Sequence, residues 1–463
     1  MVVEITFCGG TLEIKNLSPD ENYPKEFGKW DKRVHQHRTM AFNYADVLRY
    51  LDDQEIPFVD DAFSLQSSMP ADAVVSWGLR PYQEEALAAW REHHERGVIS
   101  LPTGTGKTLV GVTALAKCQS GLVVAPTLDL VWQWHRILSQ TFEEEIGVVG
   151  GGDYQPRRIS VTTYDSAHLH MDKLGGRFEL IVFDECHHLP TPKYSLGAQM
   201  ALAPSRLGLS ATPHREFGEP DALWELIGPL VYEKSIAELK GAYLADYHVE
   251  RIEVRFTDEE QREYEQERKI YLDFLKEHQI KLGGRYGWSS FIRRAAQSSA
   301  GQRAIRAHRR QRELAQTASV KMDVLGTLLE THSVDRSLVF TEDNRTAYQV
   351  SREWFIPVIT HQTKVTERTD ILKKFQAGTY RAIVTSKVLN EGIDVPAANV
   401  AIVMSGSGTV REHVQRLGRV LRPDDGKSAV LYELVTSNST EMSTSQRRRK
   451  HLAYAGDSRS DSV

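Results

Sequence analysis

The chain has 463 residues, 41% of them hydrophobic and 26% charged, with a net charge of −5. Such a length suggests about three domains with large cores, and the slight acidity excludes a protein that holds nucleic acid by bulk charge, so any such role needs local basic clusters. No apolar run approaches the roughly 18 residues of a membrane span, the first residues lack a signal-peptide pattern, and the three cysteines make neither a metal-ligand spacing nor a disulfide framework, which fits a reducing compartment.

Residues 1–70 open with Val2 to Phe7 and Thr11 to Ile14 alternating around Gly9-Gly10, which predicts a hairpin. Tyr44 to Leu51 predicts a short amphipathic helix. Before it, Lys25, Lys29, Lys32, Arg33, His35, His37 and Arg38 surround Phe27 and Trp30, a mixture suited to a sugar-phosphate backbone. Against that stands a total of 12 acidic and 7 basic residues, so a small α+β domain with a solvated charged face explains the segment at least as well.

From 71 to about 240 the pattern becomes strand and helix in alternation. Strands are predicted at 121–126, 159–164, 178–183 and 206–210, and near-continuous apolar strands between helices mean a parallel sheet covered on both faces. Val98-Ile99-Ser100 leads into Leu101-Pro102-Thr103-Gly104-Thr105-Gly106-Lys107-Thr108, and a helix comes next. A strand, a small-residue turn and a helix N-terminus direct backbone N–H groups and a positive dipole end at one point, where a phosphate is held. Gly104 and Gly106 let it approach, Lys107 reaches the β- and γ-phosphates, and the Thr108 hydroxyl suits Mg²⁺. The first glycine of the usual spacing is replaced by Leu101. Asp184-Glu185, at the end of the strand Leu180 to Phe183, supplies the partner: Asp184 to hold Mg²⁺ and Glu185 to position the attacking water. His187 and His188 come just after, without the further ligands that a zinc site needs. Gln83, in a helix start with Pro81, carries the paired donor and acceptor that an adenine edge requires.

The ordered set of Pro102 to Thr108, Asp184-Glu185-Cys186-His187 and Ser210-Ala211-Thr212 resembles superfamily 2 helicases. Cys-His at 186–187 and the absence of the flanking signature upstream of Gln83 set it apart from DEAD-box enzymes. Asp184 to Pro190 and Ser405-Gly406-Ser407-Gly408 are similar to the XPB helicase family in its short archaeal form, over nearly the whole chain. The resemblance implies an α/β fold of two RecA-like parallel-sheet lobes, with a small N-terminal α+β domain and a helical thumb-like insertion. Its boundaries are 1–70 for an accessory, damage-recognition type of domain, 71–240 for the first lobe, 241–440 for the second with the thumb at about 257–320, and 441–463 for a flexible basic tail.

By position, the resemblance adds Arg80, Gln83, Thr103 and Thr105 to the ATP site, together with Gly392 and Asp394 from the second lobe. His187, Ser210, Ala211, Thr212 and Gln415 couple ATP state to DNA grip, and Thr127, Thr163, Arg215 and Thr385 contact DNA. Where the family has Arg-Glu-Asp to help split a duplex, this chain has Arg215-Glu216-Phe217. Strand separation is therefore less firmly implied than ATP hydrolysis.

Lys281 to Arg312 carries nine Lys/Arg and no Asp/Glu. Arg303, Arg306 and Arg310 share one helical face, Arg293 and Arg294 lie nearby, and the whole predicts salt-sensitive, sequence-independent DNA binding by the thumb. Strands at 337–340, 356–360, 381–385, 400–404 and 428–435 predict a second parallel unit without a phosphate loop. Arg419 and Arg422, three apart on a helix, read as arginine fingers that stabilise charge on the transferring phosphoryl group. The expectation is a 3′–5′ DNA helicase using ATP and Mg²⁺ in a prokaryotic cytoplasm on the nucleoid, with a repair nuclease as a further partner. The alternatives are a double-strand translocase and an ATP-switched DNA-binding scaffold.

Overall fold

A computed structural model describes residues 2–17, 28–63, 78–211, 221–239, 243, 247–282, 287–386, 398–405 and 429–449. The chain divides into two units, Met1–Lys234 and Ser235–Val463.

In the first unit, strands β1 (Val3–Cys8), β2 (Thr11–Lys15), β3 (Lys29–Asp31), β4 (Gln36–Met40) and β5 (Phe58–Asp61) form a sheet in the order β3-β4-β2-β1-β5, with helix α1 (Tyr44–Asp53). The expected hairpin is β1–β2, and period-two alternation turns Val3, Ile5, Leu12 and Ile14 onto Val47 and Leu51 of α1. The basic–aromatic stretch contributes a second hairpin, β3–β4, that the sequence pattern does not predict. Asp31 there accepts from Arg33 at 2.7 Å and lies 3.6 Å from Arg38, so part of its positive charge is already matched.

This small sheet is seated on the segments around Gly175 and Leu202. Leu202 belongs to its core, and Phe7 faces Gly175 and Gly176. A Cβ at Gly175 would stand 2.9 Å from the Phe7 ring and 2.1 Å from the Met200 carbonyl oxygen, so only glycine permits that approach.

The large sheet comprises β6 (Arg96–Ser100), β7 (Gly121–Ala125), β8 (Gly147–Gly150), β9 (Asp153–Gln155), β10 (Ile159–Thr163), β11 (Leu180–Asp184), β12 (Ser205–Ser210) and β13 (Leu230–Glu233). Their order is β13-β6-β12-β11-β7-β10-β8-β9, parallel except for the β8–β9 hairpin. Helices α2 (Pro81–Glu92), α3 (Lys107–Leu115), α4 (Leu128–Thr141), α5 (Tyr164–Leu174), α6 (Pro192–Gln199) and α7 (Asp221–Leu226) connect them. Because β12 and β11 lie between β6 and β7, the chain leaves β6 for a strand beyond both, and the ends of β6, β12 and β11 converge there. One buried cation in this unit serves structure: Arg206 on β12 is wholly buried and donates to the carbonyls of Ala198, Ala201, Ala203 and Leu226.

The second unit has β14 (Tyr247–Val254), β15 (Ser337–Phe340), β16 (Val358–Ile359), β17 (Ala382–Thr385), β18 (Val400–Val403) and β19 (Ala429–Thr436), all parallel in the order β14-β19-β18-β15-β17-β16. Its helices are α8 (Ile236–Leu239), α9 (Asp258–Glu277), α10 (Gly287–Ala295), α11 (Ser299–Gln316), α12 (Ser319–Thr331), α13 (Asn344–Trp354), α14 (Val365–Gln376) and α15 (Thr440–Arg449). A capping box of Thr257 and Glu260 starts α9, which packs on α10 and α11 through Tyr271, Phe274, Phe291, Ala304 and Ala307. The expectation of a flexible tail from 441 needs correcting, since Thr440–Arg449 is a helix. Its Glu441 accepts from the fully buried Lys321 at 2.7 Å and from the Thr436 N–H, and Ser445 donates to Glu433. No described helix is long and apolar enough to cross a membrane.

Candidate functional site

The phosphate loop comes directly after β6. Leu101 is fully buried and its N–H donates to the Ser210 carbonyl at 3.0 Å, so the residue that replaces glycine anchors the loop to β12. Gly104 and Gly106 have φ of +84° and +82°, the left-handed region that glycine occupies without a Cβ penalty. Lys107 and Thr108 open α3, with Lys107 buried and its ammonium donating to the Leu101 carbonyl at 3.0 Å. That bond holds the ammonium folded back over its own loop. Thr105 is buried and bonded to the Pro102 carbonyl, whereas the shielded Thr103 hydroxyl has no hydrogen-bond partner among the described residues.

Gln83 is held against the phosphate loop. Its side chain is buried, its amide donates to the Thr105 carbonyl at 2.9 Å, and its oxygen accepts from the Arg80 N–H at 2.9 Å. Both halves of the amide are thus committed to shaping the loop and capping α2. Tyr82, which no sequence motif singles out, donates its hydroxyl to the same Thr105 carbonyl at 2.6 Å. A Cβ at position 106 would sit 2.6 Å from the Gln83 amide nitrogen, a second reason for glycine there.

Asp184 ends β11 and is buried. Its carboxylate accepts from the Trp134 indole N–H at 2.8 Å and from the Glu185 N–H at 3.0 Å, and its carbonyl accepts from the Tyr164 hydroxyl at 3.0 Å. Burial, then repulsion from Glu185, pushes its pKa up to about 6, with Trp134 and the Lys107 cation acting in the opposite direction. Glu185 adopts φ +47°, a left-handed conformation that costs a non-glycine residue about 1 kcal/mol. Its carboxylate lies 3.3 Å from His187 Nδ1, and the same nitrogen is 3.2 Å from the Ser210 hydroxyl. Glu185, His187 and Ser210 therefore form one chain of contacts from the acidic pair to the end of β12, beside Ala211. Among the described residues no His/Cys/Asp/Glu cluster could hold a metal ion by itself. A site made of one carboxylate, one hydroxyl and nucleotide oxygens is the kind that suits Mg²⁺, which keeps much of its water.

The residues expected at DNA divide. Thr127 and Thr163 are the N-caps of α4 and α5, and their hydroxyls accept from Leu130 N and Ser166 N. Both side chains thus cap their own helices, and the Thr163 hydroxyl also donates to the Ser166 hydroxyl at 3.0 Å. Thr385 is wholly buried and bonds the Ser386 carbonyl, so its hydroxyl faces no surface and its assignment to DNA is corrected. Arg303 makes a bidentate pair with Glu267 at 2.6 Å and Arg310 pairs with Glu263 at 2.6 Å, so the expected arginine stripe is largely matched by acids on α9. The sequence shows no acids between 281 and 312, but it does not show that α9 folds back onto α11. Arg293, Arg294 and Arg306 remain exposed. Thr212, Arg215, Phe217, Gly392, Asp394, Gln415, Arg419 and Arg422 lie outside the described residues.

A doubly covered parallel sheet with a phosphate loop after β6 and an Asp-Glu pair at the end of β11, one strand apart, defines an ATPase of the helicase class. Comparison with known proteins agrees. A family model described as the type III restriction enzyme res subunit matches residues 76–215. The damage recognition domain of xeroderma pigmentosum group B helicase matches 5–62, and the ERCC3/RAD25/XPB C-terminal helicase matches 302–459. A curated relative from Sulfurisphaera tokodaii, "DNA 3'-5' translocase XPB2", is 39% identical over 91% of this chain and 95% of its own length. "DNA 3'-5' helicase XPB" of Mycobacterium tuberculosis is 29% identical, covering 82% of this chain but 64% of that protein. The transcription and repair factor IIH subunit of Saccharomyces cerevisiae is 28% identical, with 45% of its length covered. Among solved structures, the Pyrococcus furiosus Hef helicase domain shares the fold, with a TM-score of 0.51 and 19% identity over 80% of this chain and 98% of that one. The chain belongs to the XPB helicase family.

Proposed function

We propose that the chain is a DNA-dependent ATPase that moves 3′ to 5′ and opens duplex DNA in repair or transcription. The observation that carries this reading is the convergence of Lys107, Asp184, Glu185, His187 and Ser210 on the ends of three neighbouring strands. In it, Lys107 leaves the Leu101 carbonyl to meet the β- and γ-phosphates, and the α3 N-terminus takes the negative charge. Asp184 and the Thr108 hydroxyl are the ligands for Mg²⁺, which neutralises phosphate charge when bound; a buried aspartate repelled by its neighbour is a fit for a cation. Glu185 orients the attacking water, and Arg419 with Arg422 takes the charge that develops on the phosphoryl group. His187 relays the nucleotide state to Ser210 and the segment after it.

DNA is gripped by the α4 and α5 N-termini and by Arg293, Arg294 and Arg306. A double-strand translocase without full strand separation is the second reading, favoured by the name of the Sulfurisphaera relative and by Phe217 in place of aspartate. A nuclease partner and residence on the nucleoid extend the same reading. The deciding experiment measures ATP hydrolysis and strand release on single-stranded, duplex and forked DNA, with a triplex-displacement reporter beside them. Turnover stimulated by DNA and silenced by Lys107→Ala supports the ATPase; triplex displacement without fork opening selects the translocase. Turnover indifferent to DNA would overturn both.

A further inference from the structure

Two buried aromatic side chains touch Asp184: Trp134, which belongs to none of the motifs, and Tyr164, which follows Thr163 in a segment expected at DNA. Trp134 lies about two turns into α4 and is 1% exposed. Its indole N–H donates to the Asp184 carboxylate at 2.8 Å. The far edge of the same ring rests on Gly111 of α3, where a Cβ would come within 2.7 Å of it. One indole therefore contacts the helix behind the phosphate loop and the carboxylate at the end of β11. Tyr164, the first residue of α5, is 2% exposed and donates to the Asp184 carbonyl at 3.0 Å. Burial raises its pKa well above the usual range, which keeps the donating proton in place.

The two helices that send these groups inward are the ones capped by Thr127 and Thr163. Asp184 is thus bonded on its side chain by α4 and on its backbone by α5. A helix moves as a stiff element, so a shift at its N-terminus also moves a residue two turns along. Hydrogen bonds weaken steeply with misalignment, and a small displacement of the indole re-aims the carboxylate.

We infer that Trp134 and Tyr164 are positioning residues that transmit occupancy of the α4 and α5 N-termini by DNA to Asp184, and so make ATP turnover depend on DNA. This rests on the proposed function, because it requires that those N-termini meet DNA.

The test uses the full chain with Trp134→Phe, Tyr164→Phe and the double variant. For each, DNA affinity, KM for ATP, and kcat with and without single-stranded DNA are measured. The expected result is a fall in the ratio of stimulated to unstimulated kcat by about tenfold, the scale of a modest misplacement at a reacting centre. DNA affinity and KM for ATP stay within about twofold, since neither residue touches either ligand. Should Trp134→Phe melt early, 3-benzothienylalanine at position 134 keeps the ring shape and lacks only the N–H donor, and its ratio decides. An unchanged ratio, or equal losses with and without DNA, would overturn the inference while leaving the proposed function standing. A wild-type ratio of one would overturn the proposed function and the inference together.

Discussion

The proposed nucleotide site of the first unit and the α9–α11 helices of the second treat charge in opposite ways. Asp184 and Lys107 are buried, and their nearest partners are an indole, backbone groups and each other's field. Arg303 and Arg310 lie toward the surface and each has a carboxylate at 2.6 Å. Buried charge without an ion-pair partner is costly, so its persistence at converging strand ends marks a place prepared for a ligand. Surface charge that already has a partner contributes modest stability and has less to offer a phosphate.

The sharpest way to break this comparison is at the buried end. Lys107→Ala is expected to lower DNA-stimulated phosphate release by about 10³-fold, with DNA affinity by anisotropy nearly unchanged; normal turnover would rule out the phosphate loop. Glu185→Gln should retain nucleotide binding, monitored with a fluorescent ATP analogue, and lose hydrolysis by about 10²-fold or more.

Arg206 is the control, a buried cation far from any ligand-facing role. Arg206→Met strands four carbonyls and should destabilise the chain by about 3 kcal/mol in urea unfolding, with the turnover of the folded fraction preserved. A selective loss of turnover would show that burial of charge alone does not separate structure from function here.

At the paired end, Glu263→Gln with Glu267→Gln releases Arg303 and leaves Arg310 with Glu313 alone at 3.3 Å, and the slope of log affinity against log salt should steepen by about one. Arg310→Ala alone should leave that slope close to that of the wild type, whereas Arg306→Ala should reduce it by about one. Equal slopes for these two single variants would restore the unpaired arginine stripe.

The smallest effect concerns His308, which packs on Tyr271 and Trp288 at 4.7 and 4.8 Å. Burial, then the charges of Arg312 and Arg309, pushes its pKa down to about 4. The unfolded thumb therefore binds the proton more readily, so stability present above about pH 6.5 is lost as pH falls toward 4. Protection factors of the α10 and α11 amides, corrected for intrinsic exchange, should fall over that window and stay level above it.

The two large parallel sheets are readable in the sequence because strands buried on both faces leave unmistakable apolar runs, as in Leu180 to Phe183. The loop and the acidic pair are readable because their chemistry fixes residue type and spacing. The features that escape are set by tertiary partners. The β3–β4 hairpin carries too few apolar residues to announce itself, and α15 is polar enough to pass for a tail until Glu441 meets Lys321. The hold of Gln83 on the Thr105 carbonyl, 22 residues away, is not visible in its short-range context. Trp134 looks like a core aromatic and Tyr164 like part of a DNA-holding segment; only the fold reveals that their polar ends share one aspartate. The arginine stripe promises more free charge than the thumb has, because helical periodicity places residues on a face without saying what that face meets.

The seat of Phe7 on Gly175 and Gly176 has a mechanical consequence. With no side chain between ring and backbone, the joint has almost no slack, and the Leu202 contact fixes it from a second side. A load applied to the N-terminal sheet is therefore delivered to the C-terminal end of α5 rather than absorbed at the contact. The small sheet and Asp184 thus meet opposite ends of the same helix, α5.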